Sequence, residues 1–122
     1  MGENKDYIAH PDEKGSVNIS EEVIAVIAAT AALGTEGVAG LSAGRDIYEL
    51  LGKKNLSKGV RLTVEGENVK VDVWLTVKLG VSVNKVGARV QEAVSSAVES
   101  ATGFTVTEVN VHVVGVNLKK GL

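Results

Sequence analysis

The sequence has no cysteine, a single proline, and only four aromatic side chains, Tyr7, Tyr48, Trp74 and Phe104. Without cysteine, a disulfide framework, a thiolate metal site and a cysteine nucleophile are all excluded. A reducing compartment suits such a chain. So sparse an aromatic content also argues against a sheet face on which nucleic-acid bases stack. Neither sign of charge dominates: the net charge of −2 points away from a protein built to lie on polyanions. Long apolar runs are missing too. The longest, Val23 to Leu33, is interrupted by Thr30 and falls far short of the roughly 20 residues that span a bilayer. Residues 1–15 mix both charges and contain no apolar stretch that could serve as a signal-peptide core. The expectation is a cytoplasmic protein that reaches a membrane only through a partner or through surface charge.

What is present is valine, alanine, leucine and isoleucine in two distinct periods. At 122 residues the chain is sized for one domain, which needs neither a disulfide nor a metal to fold. Residues 1–14 are polar, contain Pro11, and read as a flexible N-terminal arm. The domain then occupies 15–118, with 119–122 as a C-terminal tail. Ser16 to Ile19 alternates as a short strand. Ser20 is placed to cap a helix over about Glu21 to Leu33, with Glu21 and Glu22 at its positive end, a stripe of Val23, Ile24, Ile27 and Ala31, and Gly34 as a stop.

Gly37, Gly40 and Gly44 make residues 34–44 irregular, and a short second helix is expected around Arg45 to Leu51. A basic connector, Lys53 to Lys58, follows. The strongest signal is a hairpin. Val60, Leu62 and Val64 alternate with polar residues, Gly66-Glu67-Asn68 turns the chain, and Val69 to Leu79 alternates again. A long amphipathic helix spans about Val83 to Ala101, with Val83, Val86, Val90, Val94, Ala97 and Val98 on one stripe and Gly103 as its stop. Val109, Val111 and Val113 mark a last strand whose other face carries Glu108, Asn110 and His112. The order β-α-(α)-β-β-α-β predicts an α+β fold of ferredoxin-like type: a four-stranded, mostly antiparallel sheet with two main helices on one face.

Three segments, taken in order, resemble a known family. They are Gly15 to Ile24 with the alanine-rich helix and Glu36-Gly37-Val38-Ala39-Gly40; Lys58-Gly59-Val60 with the hairpin ending at Val77 to Val81; and Val86 to Val98 with Thr102-Gly103 and Val106 to Val116. Together they resemble the alkaline shock protein family of Gram-positive bacteria, the envelope stress-response proteins. The resemblance covers about residues 15–118. It implies a small non-enzymatic protein tied to cell-envelope or alkaline stress, cytoplasmic, in some members held at the membrane by a separate anchored partner. It carries over no catalytic residues.

The residues themselves offer little chemistry. The glycines around 34–52 do not form a phosphate-cradling G-x-x-x-x-G-K-[ST] loop. His10 and His112 lie far apart in sequence with no thiolate to help them, and the acidic residues lack the spacing of a calcium loop. No serine sits in a nucleophile elbow. No cofactor, metal or small-molecule substrate is expected.

Interaction surfaces are the better candidates. Arg45, Lys53, Lys54, Lys58 and Arg61 form a basic segment suited to anionic lipid, RNA or an acidic partner, or merely to a solvated connector. Trp74 stands out of phase with the valines, between Asp72 and Thr76, and so marks either a covered indole or an interface. Val114 and Val116 are read as extending that surface, and an edge strand offers backbone groups for self-association. The leading expectation is a scaffold or interaction module that self-associates and docks on a membrane-anchored protein. The alternative is a KH-like RNA-binding module using segment 45–61, with Gly34-Thr35-Glu36-Gly37 as its G-x-x-G loop, although Glu36 suits phosphates poorly.

Overall fold

A computed structural model describes residues 7–12, 14–42 and 59–118 of the chain. Its elements are β1 (Tyr7–Asp12), β2 (Gly15–Ser20), α1 (Glu21–Leu33), β3 (Val38–Leu41), β4 (Val60–Glu65), β5 (Asn68–Lys78), α2 (Val83–Thr102) and β6 (Thr105–Asn117). The α+β class, the two helices and the four-stranded, mostly antiparallel sheet are as the sequence predicts.

Alternation dictates the sheet. Val69, Val71, Val73, Leu75 and Val77 all fall on one face of β5 and are sealed from solvent, while Lys70, Asp72, Trp74, Thr76 and Lys78 fall on the other. β4 returns antiparallel across the two-residue loop Gly66-Glu67, from Val60↔Val73 to Glu65↔Asn68. Gly66 opens that loop at φ 64°, a left-handed conformation that glycine adopts without penalty. β6 runs parallel to β5 along its other flank, joined to it through α2. β3 pairs antiparallel with β5 at Val38↔Val77 to Leu41↔Leu75. β4 and β3 therefore lie end to end on one flank of β5, and β6 covers the other.

Both helices pack on the valine face. Ser20 caps α1, its hydroxyl accepting from Val23 N at 3.1 Å. The helix buries Ile24, Ala25, Ala28, Ala29 and Ala32, a nearly all-alanine face that lets neighbouring backbone come close. Val23, counted above in the buried stripe, is instead 48% exposed, because the buried face is centred on the alanines. α2 buries Val86, Val90, Val94 and Val98, a ridge of i, i+4 steps. Val83 lies at its first turn, beyond the sheet, and is 44% exposed. Gly103 ends α2 in the left-handed region at φ 81°, as its position predicts.

Three expectations need correcting. Within the supposed arm, Tyr7–Asp12 is a strand, paired antiparallel with β2 from Tyr7↔Ser20 to Asp12↔Gly15, and Ile8 enters the core opposite Ile19. The pairing is long-range information that the polar composition conceals. Consequently β2 belongs to a separate two-stranded sheet and not to the main one. The fourth strand of the main sheet is β3, in the glycine-rich stretch read as irregular. There Gly37, at φ 98°, is pressed so close to α2 that an added Cβ would stand 2.5 Å from Val86 Cγ2. The helix expected at Arg45–Leu51 lies outside the described residues.

Candidate functional site: the helix-free face and the β6 edge

The face of the sheet away from the helices is built from polar rows. In the first, Lys70 Nζ lies 3.6 Å from Glu108 Oε1, with both side chains about half exposed. In the second, register places Arg61, Asp72 and Asn110 side by side across β4, β5 and β6. In the third, Trp74 stands beside His112, and their rings stack at 4.7 Å between centroids with an interplanar angle of 16°. His112 Nε2 reaches back one row to Asp72 Oδ1 at 3.0 Å. Indole, imidazole and carboxylate thus form one connected group. The stack and the bond together fix the imidazole, whose ring is flat against one neighbour and tethered at its edge by the other.

Trp74 is 9% exposed. Of the two readings the sequence left open, the indole is covered in this chain. Its peptide is also the joint of the sheet: Ser42 N donates to Trp74 O at 2.9 Å, and Trp74 N donates to Gly59 O at 2.9 Å. Gly59 sits at φ 81° in a gap where a Cβ would be 3.1 Å from both Leu41 Cβ and Trp74 O, so only glycine fits.

The other sequence-predicted site residues do not gather around it. Val114 and Val116 are 46% and 47% exposed. The β5–β6 register shifts between Leu75↔Val113 and Thr76↔Gly115, which leaves Val114 as the extra residue of a bulge. Beyond the bulge Val116 pairs with Val77, on the helix side of the sheet and away from Trp74. The doublet Val113-Val114, which breaks strict alternation, is the sequence signal for this change of phase. Arg61 is half-buried opposite Asp72. Arg45, Lys53, Lys54 and Lys58 lie outside the described residues. The role of His112 as partner to both Trp74 and Asp72 is not legible in the sequence, since it depends on β5 and β6 being direct neighbours.

Two further arrangements weighed from the sequence can be checked among the described residues. Among the described residues, no three or more of His, Asp and Glu gather where a metal ion could be held. Gly34-Thr35-Glu36-Gly37 joins α1 to a strand, not to a second helix. Thr35 Oγ1 is bonded to Ala31 O at 3.0 Å, and Gly37 is pressed under Val86. A G-x-x-G loop that clamps a phosphate backbone must be exposed between helices, so this segment does not supply one. No described helix is long and apolar enough to cross a membrane.

With this geometry established, likeness to known proteins identifies the family. Residues 9–118 match the model of the family named for alkaline shock protein 23, which is described as having a cell envelope-related function. The chain belongs to the alkaline shock protein family. The match begins within β1, which supports counting that strand as part of the domain. Among relatives, YqhY of Bacillus subtilis is 38% identical over 104 residues, covering 84% of this chain and 77% of its own length. YloU of the same organism is 35% identical over 108 residues, with coverages of 85% and 90%. Spy1614 of Streptococcus pyogenes is 36% identical over 103 residues, covering 81% and 85%. The resemblance to alkaline shock proteins read from the sequence is therefore correct.

Solved structures of the MamM CTD share the fold of this alkaline shock protein family member. A triple variant, H264A-E289A-C267S, superposes with a TM-score of 0.50 at 19% identity, covering 78% of this chain and 94% of its own. The D249N variant in its zinc form gives 0.51 at 16% identity, with coverages of 83% and 92%. At such identities the likeness concerns the fold alone.

Proposed function

We propose that this alkaline shock protein family member is a non-enzymatic scaffold of the cell envelope, acting in the stress response by self-association and by docking on a membrane-anchored partner from the cytoplasmic side. One observation carries the reading. The described surface presents apolar side chains in sets rather than singly, and no convergent polar site stands beside them. Leu79, Val114, Val116 and Leu118 are exposed where β5 and β6 end, and Val23, Val26 and Leu33 are exposed along α1. Grouped apolar exposure on a small domain marks contact surfaces. The family's envelope-related description supports the location of the partner.

The test is recovery of the tagged full-length chain from gently solubilised cells of its own host, with and without nuclease. A membrane protein is expected in both samples, together with untagged copies of the chain. Recovery dominated by RNA or ribosomal proteins that disappear with nuclease would overturn the reading.

A further inference from the structure

The two halves of β6 differ along the edge that faces away from β5. In the first half, side chains from α2 close the edge: Val106 N donates to Glu99 Oε2 at 2.8 Å, and Gln91 Nε2 donates to Val109 O at 3.1 Å. These bonds show which backbone groups turn outward. Successive residues of a strand direct their N–H and C=O groups to alternate sides. No register shift interrupts the ladder from Lys70↔Glu108 to Leu75↔Val113, so Val111 and Val113 turn outward as Val109 does. Past the bulge, Asn117 O accepts from Leu79 N and so faces β5, which turns Val116 outward. Among the described residues, no side chain closes the edge at Val111, Val113 or Val116.

The sequence of that half is Val109-Asn-Val-His-Val-Val-Gly-Val-Asn-Leu118, without a lysine, arginine, aspartate, glutamate or proline. Strand edges are ordinarily blunted by such residues, by bulges or by being short; β6 has 13 residues, and its single such device in this half is the bulge at Val114. An open row of backbone donors and acceptors selects another strand as its occupant. We infer that the segment Val111–Asn117 pairs antiparallel with the same segment of a second copy, continuing the sheet across a two-fold axis between Val113 and Val114. The inference rests on the self-association proposed above and names its surface.

Two features favour a second copy over an unrelated strand. A two-fold at that point sets Val111 opposite the partner's Val116, and both turn their backbone groups outward, so these two positions can exchange hydrogen bonds on each side of the axis. The charges also agree. An antiparallel pair opposes a segment to itself, so a lysine, arginine, aspartate or glutamate near its centre would meet its own sign; here there is none.

The absence of native cysteine makes the test direct. In the full chain, Val114→Cys is treated with a short bismaleimide and compared with Thr63→Cys, exposed on β4 across the sheet from β6. Covalent dimer is expected to form at least about tenfold faster at position 114, because neighbouring strands lie only about 4.8 Å apart. In sedimentation equilibrium, Val114→Lys with Val116→Lys is expected to raise the dissociation constant at least about tenfold, while the uncharged Val116→Thr leaves it unchanged. Circular dichroism establishes that each variant is folded. Self-association with equal cross-linking at both positions, or unmoved by the lysines, would overturn the β6 assignment and leave self-association standing. A wild-type chain that stays monomeric would overturn both.

Discussion

Trp74 shows how a single side chain can be visible in the sequence and yet be misjudged in its use. Its phase is legible: it falls on the face opposite the valines because the β5 alternation is strict. Its surroundings are not, because the ring that covers one of its faces, His112, belongs to a strand about forty residues away. As the structure has it, the indole is packed against imidazole, and that imidazole is tied to Asp72. Trp74→Ala is therefore expected to cost stability first, by about 3 kcal/mol or more, rather than merely to weaken assembly. Chemical denaturation followed by circular dichroism measures it. A loss under about 0.5 kcal/mol, the range of ordinary surface substitutions, would show that the ring contributes little to the fold.

Among the elements, those with their own local signals are the legible ones. The β4–β5 hairpin has two matched alternations around a glycine-first loop. Helix α2 has a valine ridge and a terminal glycine. Strands β1 and β3 lack such signals. β1 is a polar segment made into a strand by β2, and β3 is four residues of a glycine-rich stretch made into a strand by β5. In both, pairing outweighs propensity, which is the usual limit of reading strands locally. Within α2 the stripe drawn from sequence contains one member too many. Val94→Ala is expected to destabilise by roughly 1.5–3 kcal/mol through lost burial and a cavity, whereas Val83→Ala is expected to stay within about 0.5 kcal/mol. Urea midpoints of the two variants decide between one continuous apolar face and the face seen here.

On the scale of the whole molecule, stability should be distributed unevenly. β5 is hydrogen-bonded on both flanks along nearly its full length and lies under both helices, while among the described strands β1 and β2 pair with each other alone and reach the core chiefly through Ile8 and Ile19. Amide hydrogen exchange is expected to be slowest in β5, opening only with global unfolding, and to be fastest among the strands in β1 and β2. Protection of the β1–β2 ribbon equal to that of β5 would mean that it folds as one unit with the main sheet. Part of the interaction surface is legible as well. The edge character of the last strand and its valine doublet stand in the sequence, but which of its halves is open depends on where Gln91 and Glu99 fall once α2 is packed.

The joint at Trp74 also bears on how sequences of this kind can vary. A single residue of β5 holds Ser42 with its carbonyl and Gly59 with its amide, so the chain that departs after β3 and returns before β4 starts and finishes at one point. A connection whose ends are pinned so close together is freed from spanning any distance. The entropy of closing it grows only with the logarithm of its length, by about 0.6 kcal/mol for each doubling. The hydrogen bonds at Trp74 therefore set no span that the sequence between these two residues has to cover. Insertions and deletions among relatives should collect there, and a foreign peptide or a reporter domain could be spliced in at that point without the framework registering its size.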